Sequence, residues 1–439
     1  TENITGGTIR TVGSLIVERT DFIPVNNSFE FYGSADAELS LMPGSSLFNV
    51  VCNKFAQREG EASLIAADRN GHSREIQRSN ALTCSSALEL NGSLIIQSGN
   101  FNVNGQYLQI SQNLIVNSNL TMLNEGSVTI EGEVLWTGAA AVNSGVFCCY
   151  GNWTFGAGST ANLSGSITTL TSYAGAQLIS SSANASFGHL ELNSLGSNSI
   201  FSYSSPNGQS LKIAGSLTIN NHNTLALGSA SCNVGTSCFI SPQASITLAS
   251  GSVLDIQGYL NQSGTLNVGQ GYVVTHGYWS LPNSGTLLIN GGYFYNDCPW
   301  IERGTFNLYG AISIINGTLE VYDNSVNIRS NSTRVINNAY LKMGRSFRAD
   351  EAGAYQPTSG TLYLEGEFGG ELSISGGNYL QDLIVNKDED YAYLSMSGPI
   401  TINGDLQLMK GYVDAGSYSH NILGSASIGS LMYLGEGRT

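Results

Sequence analysis

Charged side chains are scarce in this chain of 439 residues. Asp, Glu, Lys and Arg together make up 11% of it, less than half of the roughly 25% found in ordinary soluble domains. The 17 basic residues are outnumbered by 32 acidic ones, which gives a net charge of −15. Nucleic acids and anionic membranes select basic surfaces. We therefore expect neither as a partner.

Long apolar runs, proline and strong helix formers are also lacking. No run approaches the roughly 20 apolar residues that a membrane-spanning helix needs, so we expect no membrane insertion. Gly, Ser, Thr and Asn take the place of the missing charge, with 53 glycines, 21 tyrosines and only 8 prolines, while 41% of the chain stays hydrophobic. This composition is typical of an all-β protein with many tight turns. The chain opens on Thr1 without a signal peptide, which we interpret as the mature form of an extracellular or cell-surface protein.

The seven cysteines have no spacing that is typical of a zinc site. The segment from Cys232 to Cys238 predicts a small loop closed by a disulfide. Cys52 and Cys84 flank a polar segment and are the candidate partners of a second disulfide. The alternative is that several of these cysteines are buried and reduced.

Short repeats give the strongest indication of the fold. Gly264, Gly285 and Gly304 each open a Gly-Thr-apolar unit, and they stand 21 and 19 residues apart. Each unit holds strands too short to bury much apolar surface alone. Stacking units of about 20 residues gives a continuous core in which every strand pairs with the units above and below. We therefore predict an all-β, right-handed parallel β-helix (β-solenoid). A β-sandwich, which also has short strands and frequent turns, is the competing fold.

The predicted solenoid has three regions along the chain. Residues 1–50 hold irregular β segments and are expected to form an N-terminal β cap. Residues 51–88 form a polar, charged insertion with room for a short helix. The repeats run from residue 89 onward, so residues 89–439 are the predicted solenoid body.

Opposite charges gather in two distant parts of the sequence, and two interpretations stay open. They are either solvated loops or a head-to-tail contact in which the basic region of one copy meets the acidic region of the next. The basic residues are Lys54, Arg58, Arg69, Arg74 and Arg78, and the acidic ones are Glu365, Glu367, Glu371, Asp388, Glu389 and Asp390.

A group of aromatic residues recurs at intervals close to the repeat. These residues are Tyr259, Tyr272, Tyr278, Trp279, Tyr293, Phe294 and Tyr295. Stacked on one outer face they form a surface for sugar rings or for another chain. An internal aromatic ladder that fills the core is the equal alternative.

Catalytic motifs are missing. Acidic residues are sparse in the middle of the chain, and no Lys or Arg occurs between Arg78 and Lys212. There is no P-loop, no Gly-x-Ser-x-Gly and no His-Glu-x-x-His. Glu365, Glu367 and Glu371 are the best carboxylate cluster, and a solvated turn explains them. We expect no enzyme activity, catalytic residue, metal or cofactor.

Two segments carry a family resemblance. Residues 378–387, Asn-Tyr-Leu-Gln-Asp-Leu-Ile-Val-Asn-Lys, and residues 398–419, which begin Gly-Pro-Ile-Thr-Ile-Asn-Gly-Asp-Leu, resemble repeats of large bacterial secreted surface proteins with β-helical, adhesin-like bodies. The resemblance implies a secreted or surface scaffold and carries over no catalytic residue.

These observations lead to one expected function and two alternatives. We expect an extracellular structural or adhesive scaffold that assembles head to tail with copies of itself, as a filament or surface layer, and that contacts glycans or cell-surface components. One alternative is a protein that binds or degrades polysaccharide. The other is a trimer similar to a tail spike.

Overall fold

The computed structural model describes residues 4–55, 65–67, 73–75, 80–122, 125–142, 144–173, 175–196, 198–298, 305–329, 334–388 and 392–429. Within these ranges there are strands, turns and bends but no helix. Parallel strands stack as a β-solenoid of about 18 turns, here called coils. This confirms the predicted parallel solenoid and rules out the β-sandwich.

The chain divides into two units. The first contains residues 1–199 and 204–215, and the second contains residues 200–203 and 216–439. The sequence predicted a single solenoid body from residue 89 onward and gave no signal for this division.

The strands up to the end of the first unit are β1 (Thr8–Thr11), β2 (Leu15–Val17), β3 (Ser28–Gly33), β4 (Ala37–Leu41), β5 (Asn49–Lys54), β6 (Ile65–Ala67), β7 (Ser73–Glu75), β8 (Ala81–Cys84), β9 (Leu88–Leu90), β10 (Leu94–Ser98), β11 (Asn100–Asn102), β12 (Tyr107–Ile110), β13 (Leu114–Val116), β14 (Asn119–Met122), β15 (Ser127–Ile130), β16 (Val134–Trp136), β17 (Ala139–Val142), β18 (Val146–Cys149), β19 (Trp153–Phe155), β20 (Thr160–Ser172), β21 (Gly175–Ser181), β22 (Ser186–Ser194), β23 (Ser199–Ser204), whose residues are divided between the units, and β24 (Leu211–Ile213).

The strands of the second unit are β25 (Leu217–Ile219), β26 (Asn223–Ala226), β27 (Cys232–Val234), β28 (Cys238–Ile240), β29 (Ser245–Thr247), β30 (Val253–Ile256), β31 (Leu260–Gln262), β32 (Thr265–Gly269), β33 (Tyr272–Thr275), β34 (Trp279–Ser280), β35 (Thr286–Asn290), β36 (Tyr293–Asn296), β37 (Thr305–Leu308), β38 (Ala311–Ile315), β39 (Thr318–Val321), β40 (Ser325–Ile328), β41 (Arg334–Asn337), β42 (Ala339–Met343), β43 (Phe347–Ala349), β44 (Gly360–Gly366), β45 (Gly370–Ile374), β46 (Asp382–Lys387), β47 (Tyr393–Met396), β48 (Thr401–Ile402), β49 (Leu406–Lys410), β50 (Tyr412–Asp414), β51 (Asn421–Ile422) and β52 (Ala426–Ile428).

The first unit already coils in residues 4–50, where the sequence predicted an irregular cap. Strand β1 pairs in parallel with β3, and β3 pairs with β5. Strand β2 pairs with β4, and β4 pairs with β8. Phe29 and Phe31 of β3 are buried and lie in register with Val50 and Cys52 of β5. These residues therefore form the first coils of the solenoid rather than a separate cap.

The predicted polar insertion is shorter than residues 51–88. Strand β5 continues to Lys54 with alternating burial, and β8 begins at Ala81 within the parallel stack. Between them the structure describes β6 and β7, an antiparallel pair, and no helix among the residues that it places there. Inward and outward side chains alternate in β5, but the inward position at its end holds Lys54, so the sequence does not show an apolar-polar alternation there.

Aromatic rings fill part of the core of the first unit. Trp136 stacks on Trp153, with ring centroids 6.2 Å apart and an interplanar angle of 24°. Phe147 meets both indoles edge-on, at 6.2 and 5.9 Å. All three side chains are fully buried. They come from β16, β18 and β19, which are brought together because each coil contributes short strands to more than one side of the core.

The core of the second unit is a column of apolar side chains. Alternation sends every second side chain of a strand inward, and the parallel register places the inward residues of successive coils over one another. One such column, from β30 to β49, is Leu254, Val273, Phe294, Leu319, Leu341, Leu362, Leu383 and Leu406. All eight are buried.

Asparagine turns the chain between strands, as the composition predicted. Asn316 and Asn338 have φ of 52° and 48°, in the left-handed region that asparagine tolerates better than other residues with side chains. They lie on successive coils, and Asn338 Nδ2 donates to Asn316 Oδ1 at 2.8 Å. The side chains therefore extend the ladder through the turn.

Replacement of Phe147 by alanine tests this core. We expect the free energy of unfolding of the first unit to fall by about 3–5 kcal/mol, because a buried ring is lost and its cavity is lined by indoles that cannot close it. Val146→Ala, at an exposed position of the same strand, serves as the control and should cost about 1 kcal/mol or less. Denaturant unfolding followed by tryptophan fluorescence gives both values. Equal losses would contradict the inward and outward assignment.

Candidate functional site

One outer face of the second unit carries stacked tyrosines. It is built by β30, β33, β36, β39, β42 and β44, which pair in parallel from one coil to the next. The side chains between the buried ones point outward and form columns of their own. We define the tyrosine face by the outward side chains of these strands, namely Val253, Asp255, Tyr272, Val274, Tyr293, Tyr295, Thr318, Glu320, Tyr340, Lys342, Thr361, Tyr363 and Glu365.

Tyr272 and Tyr293 are direct neighbours on this face. They are register partners in β33 and β36, and their rings stack with centroids 5.1 Å apart and an interplanar angle of 26°. Tyr272 is 37% exposed. The two rings thus pack against each other as one aromatic unit, in which Tyr293 is the more buried member.

Tyr293 is held by a hydrogen bond from the next coil. Its Oη donates to Glu320 Oε2, and Lys342 Nζ lies 3.3 Å from the same carboxylate oxygen. Burial, followed by the hydrogen bond and the charge of Glu320, raises the pKa of Tyr293. The phenol thus stays protonated as a donor, and its ring has a fixed position.

A groove of about 370 Å³ lies beside the tyrosine stack. Its lining comes from the turns that lead into β30, β33, β36 and β39, and includes Gln270, Asn316 and five glycines. At Gly292 a Cβ would stand 2.6 Å from the carbonyl oxygen of Gly269 and 2.7 Å from that of Gly271. Glycine is therefore required for the turns to lie this close together, and five of the twelve residues that line the groove are glycines.

Three ionisable side chains form a chain across successive coils beyond the tyrosines. His276 Nε2 lies 3.3 Å from Asp255 Oδ1, and its Nδ1 lies 3.6 Å from Asp297 Oδ2. About a third of each side chain is exposed. The imidazole is thus placed between two carboxylates at the edge of the tyrosine face.

The structure separates the aromatic residues that the sequence placed on one face. Tyr272, Tyr293 and Tyr295 share the tyrosine face. Tyr259 and Tyr278 instead precede β31 and β34, which pair with each other through Leu260 and Trp279. They therefore belong to a different part of the surface.

Trp279 is a member of this set for which the outer-face prediction is wrong. Its side chain is fully buried, its Nε1 donates to Gln262 Oε1 at 3.1 Å, and its ring packs 4.6 Å from that of Phe294. The indole follows the inward alternation of β34, so the alternative of a core aromatic applies to Trp279, as it does to the fully buried Phe294 of β36.

Sequence reasoning missed Tyr340, Tyr363, Glu320 and Lys342 of the tyrosine face. Glu320 and Lys342 are not aromatic, and Tyr340 follows a coil of 25 residues from Tyr293 to Thr318, against 21 residues from Tyr272 to Tyr293. Only the strand register places them beside Tyr293.

Lys54, predicted as part of a basic contact surface, is buried. Its Nζ donates to the carbonyl oxygens of Val12, Tyr32 and Ala35, at 3.0, 3.3 and 2.9 Å, so its charge is satisfied within its own chain. Arg58, Arg69 and Arg78 lie outside the described residues, and the side chain of Arg74 in β7 is likewise outside them.

The acidic half of the predicted contact is spread over different environments. Glu371 forms an ion pair with Arg348, and Glu365 points outward from β44 and is partly buried. Glu367 and Asp388 are exposed, whereas Glu389 and Asp390 fall outside the described residues. The head-to-tail contact stays a prediction, without the contribution assigned to Lys54.

The predicted disulfide partners are buried thiols in the structure. Cys52, Cys84, Cys232 and Cys238 point into the core, and no disulfide joins them. Burial raises the pKa of Cys52 to about 11 and those of Cys84 and Cys238 to about 12. The structure therefore shows the alternative in which these cysteines are buried and reduced.

Comparison with known protein families, curated proteins and solved structures finds no match for this chain. In the part of the chain that the structure describes, no group of three or more His, Cys, Asp or Glu side chains is arranged to hold a metal ion. The same residues include no helix long and apolar enough to cross a membrane.

Lys387 provides a test of the buried lysines. It ends β46 as Lys54 ends β5, and its Nζ donates to the carbonyl oxygens of Glu365 and Gly344, at 2.6 and 3.1 Å. Burial lowers its pKa from 10.5 to about 8. The unfolded chain therefore binds more protons than the folded one between these values, and stability rises with pH across this window.

Substitution of Lys387 by methionine should remove this dependence. We expect the difference in unfolding free energy between Lys387→Met and the wild type to change by about 3 kcal/mol from pH 8 to pH 10.5, in favour of the wild type. Lys212→Met, at an outward position of β24, is the control and should give a much smaller change. Denaturant unfolding across this pH range measures both, and a flat difference for Lys387→Met contradicts a desolvated amine.

Proposed function

We propose that this protein is an extracellular, adhesive β-solenoid scaffold that binds carbohydrate on the tyrosine face of its second unit. The single observation that carries the proposal is the stack of Tyr272, which is exposed, and Tyr293, which is half-buried, beside a groove lined by glycines, amides and hydroxyl groups. The solenoid supplies a rigid support, and the outward columns supply a repeating contact surface.

The chemistry of the stack suits a sugar. A pyranose ring has an apolar face of C–H groups and a rim of hydroxyls, and a tyrosine likewise has an apolar ring and one polar end. Fixing Tyr293 through Glu320 reduces the conformational entropy that a ligand must remove on binding. Gln270, Asn316 and the peptide groups of the groove then offer donors and acceptors for hydroxyls.

A polymeric ligand fits the geometry better than a single sugar. Outward residues repeat with each coil, so the surface offers similar contacts at regular spacing along the stack of strands. Several weak contacts on one chain reinforce each other because the second contact is made at high effective concentration. This is the property that an adhesive scaffold needs.

Association with copies of itself is the second part of the proposal, and it is independent of the tyrosine face. Its sequence basis is the charge separation described above, now without Lys54. Mass in solution distinguishes a monomer from a tail-spike-like trimer, and electron microscopy of the untagged protein detects filaments or a surface layer.

Binding to a panel of immobilised polysaccharides tests the carbohydrate proposal. We expect Tyr272→Ala and Tyr293→Ala each to weaken binding at least about tenfold, which corresponds to about 1.4 kcal/mol, because each removes one ring of the platform. Tyr393→Ala is the matched control, since Tyr393 is 54% exposed on β47, in another sheet of the same unit.

Two results would count against carbohydrate binding at this face. One is the absence of binding by the wild-type protein to every polysaccharide of the panel. The other is binding that all three tyrosine variants retain equally, which would place the contact elsewhere. Circular dichroism of each variant establishes that the solenoid is intact.

A further inference from the structure

Negative charge borders the tyrosine stack, and this restricts the ligand. We propose that the tyrosine face binds an uncharged polysaccharide and that its carboxylates exclude polyanionic ones such as polyuronates. This inference rests on the proposed function and specifies its ligand class. The carboxylates are those of Asp255 and Glu320, in the column next to the stack, and those of Asp297 and Glu365, two residues further along the chain from that column.

The distance between the tyrosines and the carboxylates follows from strand geometry. Asp255 and Glu320 occupy the outward position two residues after Val253 and Thr318, which belong to the same column as Tyr272 and Tyr293. Two residues of a strand span about 7 Å. Asp255 also lies one strand spacing, about 4.8 Å, from Tyr272, so the two Cα atoms are about 8 Å apart, and Glu320 contacts Tyr293 directly. Both carboxylates therefore lie within about one Debye length, about 8 Å at physiological ionic strength, of a chain lying on the tyrosines, where like charges repel.

The basic side chains on this part of the face already face carboxylates. Lys342 Nζ is 3.3 Å from Glu320, and His276 lies between Asp255 and Asp297. Recognition of a carboxylate or sulfate group on a ligand relies on charge-assisted bonds from Arg or Lys. To provide one here, Lys342 would have to give up its ion pair with Glu320.

The groove itself is lined by neutral groups. Its side-chain amides belong to Gln270 and Asn316, and the rest of its lining includes glycine peptides, Ser252, Thr318 and the two tyrosines. Neutral donors and acceptors match hydroxyl groups without the cost of removing an ion from water. The tyrosine stack, the neutral groove and the neighbouring carboxylates thus all favour an uncharged sugar chain as the ligand.

Binding of the full chain to three soluble polysaccharides of different charge tests this inference. The probes are a neutral β-glucan, polygalacturonate as the polyanion and chitosan as the polycation, each at about 0.05 and 0.5 M NaCl. We expect the β-glucan to bind with an affinity that changes less than about twofold between the two salt concentrations, because no charge is paired. Polygalacturonate should not bind at the lower concentration.

A charge variant tests the role of the carboxylates directly. In the double variant Asp255→Asn and Asp297→Asn we expect unchanged affinity for the β-glucan and measurable affinity for polygalacturonate. The matched control is Glu89→Gln with Glu191→Gln, which changes the net charge equally at outward positions of β9 and β22 in the first unit. It should leave polygalacturonate unbound.

The outcomes distinguish this inference from the proposed function. Polygalacturonate or chitosan bound by the wild type, and lost in Tyr272→Ala, overturns the uncharged ligand but keeps the tyrosine face as a carbohydrate site. If the wild type binds none of the three probes and no polysaccharide of a wider panel, both the uncharged ligand and carbohydrate binding at the tyrosine face are overturned. Equal gain of polygalacturonate binding in the control variant overturns the local role of Asp255 and Asp297.

Discussion

Main-chain hydrogen bonds between successive coils are the interaction on which the whole structure depends. Most strands are only three to five residues long and bury little apolar surface individually. Paired in parallel on both sides, they place leucine over leucine for coil after coil, and each coil completes the core of its neighbours. The same ladder pairs the backbone N–H and C=O groups, which would otherwise be buried without hydrogen-bond partners.

The register that builds the core also builds the surface. Because successive side chains alternate, a column of buried leucines in the second unit requires a parallel column of outward residues one position away. Tyr272 and Tyr293 lie next to each other because the buried residues that follow them, Val273 and Phe294, are register partners. The groove beside them has the same origin, since turns at equivalent positions approach so closely that Gly292 has no room for a Cβ.

The sequence was sufficient to predict the solenoid, because glycine-led units near 20 residues and alternating short strands are local signals. The recurrence of Tyr272 and Tyr293 followed from the same interval, but the sequence left open whether these side chains point outward or into the core. Other features depend on three-dimensional register and were not predictable in this way. Lys54 looks like a surface charge in a polar segment, yet it occupies an inward position and pairs with three carbonyl oxygens, and Trp279 is separated from neighbouring Tyr278 by the alternation of a two-residue strand.

Disulfide trapping across the tyrosine column measures the register most directly. In a Cys148→Ser background, which removes a partly exposed thiol, Tyr272→Cys with Tyr293→Cys places two cysteines on adjacent parallel strands about 4.8 Å apart, within the range that a disulfide bridges. Tyr272→Cys with Tyr340→Cys lies in the same column three coils apart, about 14 Å, beyond that range. Mild oxidation should cross-link the first pair within one chain and leave the second pair as thiols. Cross-linking of neither pair, or of both equally, would contradict the stacking of coils on which the core, the tyrosine face and the proposed ligand depend.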